Sequence, residues 1–133
     1  GYQGSFHQVA VQRFFGKSAE ILPCATFRDL IDKAQQNKVT NGGVMAIENS
    51  LAGAILPNYR LLQKSSLQIV GEVYLKISQH LLVNPGVALS DIKEVMSHPM
   101  AILQCVDYLN ARPWKIIETE DTALSAQHIH IHK

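Results

Sequence analysis

Residues 44–47, Val-Met-Ala-Ile, form an unalternated apolar run that stops on three polar residues, Glu48, Asn49 and Ser50. An apolar run of this length between turn signals reads as an inner strand covered on both faces, and Gly53 and Pro57 bound the connection after it. Elsewhere the period is helical. Phe6, Val9, Ala10 and Phe14 recur at helical spacing behind Ser5, a capping residue, with Gly16 where a C-terminal cap belongs. Thr26 is placed to cap a second helix whose inner face is Phe27, Leu30, Ile31 and Ala34, and Ile21-Leu22 ahead of Pro23 reads as a short strand. Pro57 suits the first turn of a helix carrying Tyr59, Leu61 and Leu62.

The second half begins without helical period. Residues 66–83 are rich in β-branched positions (Ile69, Val70, Val73, Ile77, Val83) and read as one long or two consecutive extended segments crossing between two lobes, with His80 in the second part. Asn84-Pro85-Gly86 is a turn and 92–96 a short strand. Ser97-His98-Pro99 opens a helix that turns Ile102, Leu103, Val106 and Leu109 inward. Residues 114–117 form another strand, and Asp121 or Thr122 caps a last helix with Ala123, Leu124 and Ala126 inward. The expected organisation is α/β, with a first lobe over 1–76 and a second over 77–133.

Composition narrows the function classes. At 133 residues, 47% hydrophobic and 17% charged, the chain suits one small domain or two compact lobes. A net charge of +1 without a basic run gives no electrostatic case for nucleic acid or an anionic membrane. No apolar stretch approaches the roughly 20 residues of a membrane span, and no basic-then-apolar leader opens the chain, so a cytoplasmic protein is expected. Cys24 and Cys105 stand far apart, which gives neither a disulfide framework nor a zinc pattern. His128, His130 and His132 alternate and on a strand would share a face, but with no Cys, Asp or Glu interleaved the expectation is that no metal is bound there.

Four junctions place a polar side chain at or just before a helix start: Ser5, Glu48-Asn49-Ser50, Ser97-His98 and Asp121-Thr122. Helix starts expose unpaired N–H groups and a partial positive charge, which suits a small carboxylate or phosphate; each junction is also an ordinary cap or Asx turn. In open α/β sheets, ligands lie beyond the carboxyl ends of the strands, where Glu48, Asn49 and Ser50 are expected. Gln104, seven residues after Ser97, interrupts an apolar helix face and needs a partner. The phosphate-binding GxxxxGK[ST] and GxGxxG patterns are absent, which removes support for nucleotide binding.

These blocks together resemble the catalytic domain of the prephenate dehydratase family. The matching segments are Gly4-Ser5-Phe6, Thr26-Phe27, Ala46-Ile47-Glu48-Asn49-Ser50-Leu51-Ala52-Gly53, Ile69-Val70-Gly71-Glu72 leading to His80-Leu81-Leu82, Ser97-His98-Pro99 with Gln104-Cys105, and Asp121-Thr122-Ala123. The resemblance implies two α/β lobes like those of type II periplasmic binding proteins, the second incomplete, with the active site in the cleft between them. It implies decarboxylating dehydration of prephenate to phenylpyruvate in phenylalanine biosynthesis, without cofactor or metal, by a homo-oligomer. Arogenate dehydration and a non-catalytic small-anion-binding module on the same fold are the alternatives. Asn49 and Gln104 match catalytic positions; Ser5, Glu48, Ser50, Ser97 and Thr122 match substrate-binding ones, and His80 fits a hinge role. Three departures accompany it. The family's Thr-Arg-Phe segment with its favoured proton donor is not found after Ala123, and neither the first strand nor the phenylalanine-binding regulatory domain is found. Met100 also replaces a frequent glutamine. The 133-residue chain alone is therefore expected to be inactive.

Overall fold

A computed structural model describes residues 2–36, 40–51 and 53–131. Ala52 of the Glu-Asn-Ser block and His132 of the alternating histidines lie outside the described residues. The chain divides into two compact units, Gly1–Lys76 and Ile77–Lys133.

The first unit is built from helices and one hairpin. Helix α1 (Phe6–Phe15) starts at Ser5, whose hydroxyl accepts the Gln8 N–H at 3.4 Å, and ends at Gly16 with φ +96°, a conformation that glycine adopts without a Cβ penalty. Helix α2 (Phe27–Ala34) is capped by Thr26, whose Oγ1 accepts the Asp29 N–H at 3.1 Å. Its Ile31 and Ala34 are buried, with Ala10 of α1 and Cys24 the other buried apolar residues of the unit. Strands β1 (Glu48–Asn49) and β2 (Gly53–Ala54) pair antiparallel, Glu48 opposite Ala54 and Asn49 opposite Gly53. Helix α3 (Leu56–Gln63) follows, with Pro57 in its first turn, and packs on α2.

Two strands expected in this unit do not form. Residues 44–47 lie in no ladder; the pairing begins at Glu48, because the Asn49 side chain closes a tight turn and brings the chain back at once. Carbonyls that a neighbouring strand would use are taken locally: the Asn58 carboxamide donates to Ala46 O at 2.7 Å and the Ile55 N–H donates to Ile47 O at 2.8 Å. Ile21-Leu22 also meets no partner strand, and Pro23 after it has no N–H to offer one. Residues 66–83 likewise enter no ladder, so the crossing read from their β-branched pattern is unpaired.

The second unit is a β-α-β arrangement closed by a helix. A 3-10 turn, Leu89–Asp91, leads to β3 (Glu94–Ser97), which runs parallel to β4 (Lys115–Glu118) with Val95 opposite Ile116 and Ser97 opposite Glu118. The connection is two helices, α4 (Pro99–Gln104) and α5 (Val106–Asn110), where one was expected. Cys105, at φ −116° and ψ 13°, leaves the helical range, and its N–H is shared by the Ile102 and Leu103 carbonyls. The break rotates the apolar stripe: Leu109 is buried, whereas Leu103 is 59% exposed. Arg112 lies 4.4 Å over the Tyr108 ring and 5.0 Å over the Trp114 ring, joining the end of α5 to the start of β4. Helix α6 (Thr122–Ile131) packs on β3. His128 and His130 are therefore helical and roughly 200° apart around its axis, so they do not share the face a strand would give them.

Candidate functional site

In the first unit, Glu48, Asn49 and Ser50 sit at the hairpin itself. Asn49 Oδ1 accepts the Leu51 N–H at 2.9 Å, an Asx turn that fixes the carboxamide with its oxygen engaged by backbone. Glu48 and Ser50 are exposed and Asn49 is half-buried. Ser5 is buried and, besides capping α1, lines a cavity of about 900 Å³ with His7, Thr26, Cys24, Thr40 and Gly42. Burial pushes the Cys24 thiol above its ordinary pKa, with the Lys33 ammonium acting in the opposite direction.

In the second unit Ser97 ends β3, Thr122 follows β4 at the start of α6, and Gln104 stands at the far end of α4. Ser97 is the last residue of β3, half-buried, and its carbonyl accepts the Thr119 N–H at 2.9 Å. His98 caps α4 by accepting the Met100 N–H on Nδ1 at 3.1 Å, so a neutral ring carries its proton on Nε2. Gln104 closes the same helix; its Oε1 accepts from Gln79 Nε2 at 2.7 Å, which leaves its own Nε2 donors for another group. Thr122 is the first residue of α6, but the cap is Asp121, whose Oδ1 accepts the Ala123 and Leu124 N–H groups at 2.8 and 3.0 Å. Among the described residues the hydroxyls of Ser50, Ser97 and Thr122 make no hydrogen bond to protein. His80 is exposed. No group of three metal-ligating side chains is found among the described residues.

Sequence reasoning missed the polar centre of this unit. Beyond the end of β4 and against α6 lies a cavity of about 340 Å³, lined by Met96, Thr119, Asp121, Leu124, Ser125 and His128. Ser125 is 5% exposed; its Oγ lies 2.8 Å from Asp121 O and 2.6 Å from Thr119 Oγ1. A serine has one proton, and the Asp121 carbonyl can only accept, so Ser125 donates there and Thr119 donates to Ser125. The Thr119 oxygen therefore presents acceptor lone pairs. The available sequence signal was a hydroxyl directly after a strand with a second one four residues beyond a capping Asp.

Parallel strands joined through helices, beside a helical unit with one hairpin, define a mixed α/β protein. The chain belongs to the prephenate dehydratase family, whose profile matches residues 1–133. Arogenate dehydratase 2 of Petunia hybrida is 38% identical over 129 residues, covering 97% of this chain and 32% of that protein. The bifunctional chorismate mutase/prephenate dehydratase of Escherichia coli (strain K12) is 37% identical over 133 residues, with 97% and 34% covered. Arogenate dehydratase/prephenate dehydratase 1 of Arabidopsis thaliana is 39% identical over 127 residues, with 96% and 32% covered. The chain spans about a third of the length of these curated relatives. No helix among the described residues is long and apolar enough to cross a membrane.

Proposed function

We propose that the chain is part of a dehydratase that converts prephenate, or its amino counterpart arogenate, into the aromatic product on the route to phenylalanine. The observation that carries this is the family match over residues 1–133 together with the Glu48-Asn49-Ser50 and Ser97-His98-Pro99…Gln104 blocks in one chain. In this reading Asn49 and Gln104 act on the reacting substrate, and Ser5, Glu48, Ser50, Ser97 and Thr122 hold it. The fold, on the same reading, is of the kind seen in the type II periplasmic binding proteins, and no cofactor or metal is required.

The chemistry asks little of the protein beyond binding and one proton. The ring carboxylate leaves as carbon dioxide, its bonding electron pair enters the ring, and the ring hydroxyl leaves with a proton as water. Aromatisation supplies the driving force; the site needs to desolvate one carboxylate, hold the other at N–H groups and protonate the departing oxygen. The Asn49 and Gln104 carboxamides suit the holding role, being neutral donors that stabilise charge without being ionised themselves. The relatives include dehydratases of both substrates by name, and the choice between ketone and ammonium is part of the test.

That test places the chain within the corresponding span of the Escherichia coli relative and measures phenylpyruvate from prephenate and phenylalanine from arogenate. Turnover is expected with at least one substrate, and Asn49→Ala and Gln104→Ala should each lower it by roughly 10- to 1000-fold with the fold retained. A folded fusion without turnover, or two variants within twofold of the parent, would rule the assignment out.

A further inference from the structure

Gln79 lies on the stretch that leads into the second unit, and its contact with Gln104 decides what Gln104 can offer a ligand. Gln79 Nε2 donates to Gln104 Oε1 at 2.7 Å. Both side chains are half-buried, and both belong to the second unit. Each end of the contact is held in place. Gln104 is the last residue of α4, and the N–H of Cys105 after it closes that helix on the Ile102 and Leu103 carbonyls. The stretch carrying Gln79 runs on to Asn84, whose Nδ2 donates to Ile129 O at 2.9 Å and ties it to α6. A carboxamide is a donor on one edge and an acceptor on the other, and a free glutamine can turn either edge outward, at a large loss of rotamer freedom once it is fixed. With its oxygen committed to Gln79, Gln104 has N–H groups to offer, and they are fixed before a ligand arrives. That polarity suits a carboxylate or an oxyanion. The Gln79 N–H, the Gln104 carboxamide and an anion then form a chain in which each hydrogen bond polarises the next. The same two side chains reversed, with Gln104 Nε2 donating to Gln79 Oε1, would turn oxygen lone pairs toward the anion.

We propose that Gln79 is the positioning residue that sets the polarity of the Gln104 carboxamide, holding its N–H edge toward the anionic substrate. This rests on the reading that Gln104 acts on the substrate. Gln79 works through Gln104 alone and needs no contact with the substrate. Glutamate at this position separates direction from packing, because it keeps the shape of glutamine and, when ionised, can only accept. Gln79→Glu draws Gln104 Nε2 onto itself and turns the Gln104 oxygen outward, whereas Gln79→Met, of similar length, removes the donor and reverses nothing.

In the fusion with the Escherichia coli relative, turnover should fall by roughly 3- to 10-fold in Gln79→Met and by roughly 10- to 100-fold in Gln79→Glu. A side chain that merely packs gives the opposite order, since glutamate is the closer copy of glutamine. In a Gln104→Ala background, Gln79→Met should change the residual turnover by less than about twofold, because the group it acts through is gone. Nuclear magnetic resonance on the 133-residue chain reads the contact without catalysis. The Gln104 Cδ resonance should move upfield in Gln79→Met, which takes away its donor, and a Gln104 Nε2 proton should move downfield in Gln79→Glu, which supplies a charged acceptor. Gln79→Glu as active as Gln79→Met, an undiminished effect of Gln79→Met in the Gln104→Ala background, or Gln104 resonances indifferent to both changes overturns the proposal. A parent fusion that turns over neither substrate removes the catalytic reading instead, and the Gln104 resonances then decide on their own whether Gln79 sets the carboxamide.

Discussion

Asn58 is 2% exposed on α3, and its carboxamide donates to Ala46 O at 2.7 Å, tying the helix to the segment before the hairpin. Removing the carboxamide leaves a carbonyl without its donor and a small void, a combination that costs about 1–3 kcal/mol. Asn58→Ala should therefore lower the urea midpoint more than Thr26→Ala, which removes one exposed cap worth about 1 kcal/mol. Equal midpoints for the two variants would show that the Ala46 carbonyl finds another donor. Cys24 makes a separate residue-scale prediction. Its thiol pKa is raised because burial penalises the thiolate, so at pH 8 the folded chain holds less thiolate at this position than the unfolded chain does. Iodoacetamide should modify Cys24 at least several-fold faster in denaturant than in the folded protein. The linked stability is fully present below the thiol's ordinary pKa and is lost as pH rises through the folded value, since only the unfolded chain then ionises freely. Labelling of Cys24 at the same rate in both states would contradict the burial.

Helix starts were legible because capping is local. Ser5, Thr26, Pro57 and Pro99 all act within one turn of their own position, and the helices begin where those residues place them. Strands were legible in part: those expected over 92–96 and 114–117 form within a residue or two as β3 and β4, whereas 21–22 and 44–47 do not pair, because a ladder needs a partner that periodicity does not name. Residues 44–47 have strand composition, yet the Asx turn at Asn49 offers a nearer partner and the ladder begins only at Glu48. The break at Cys105 escaped for a related reason: nothing in the run Ala101–Leu109 breaks helical period, and only the backbone shows it. Of the candidate site, the polar junctions could be read one by one, whereas the Thr119–Ser125 pair depends on how α6 lies on β3 and could not. At α6 itself, Asp121 satisfies two of the four orphan N–H groups. Asp121→Ala should cost about 1–2 kcal/mol and reduce helical ellipticity, while Thr122→Ala, one residue on, should leave the helix intact. Equal loss in both would place the cap on Thr122 instead.

The two units differ in how much they bury, and local stability should differ with it. Among the described residues the first unit encloses Ala10, Cys24, Ile31 and Ala34, while the second encloses one apolar side chain, Leu109. Below roughly 70–80 residues a single core seldom supplies more than a few kcal/mol, and both units fall under that size. The second relies more on its polar framework: the β3–β4 ladder, the exposed Lys115–Glu94 ion pair at 2.9 Å and the Thr119–Ser125–Asp121 hydrogen bonds. An exposed ion pair adds at most about 1 kcal/mol, and ladder bonds open to water are protected only as long as the packing over them holds. Opening free energy in native proteins follows such differences in enclosed apolar contact. Amide hydrogen exchange on the 133-residue chain should therefore find the α2 amides around Ile31 and Ala34 slower than those of Val95 and Ile116 in the parallel pair. Ser125→Ala, which removes the buried hydroxyl joining α6 to the end of β4, should accelerate exchange in β4 and leave α2 unchanged. Greater protection in the β3–β4 ladder than in α2 would mean that polar framework and strand pairing, not enclosed apolar area, set the order in which the chain opens.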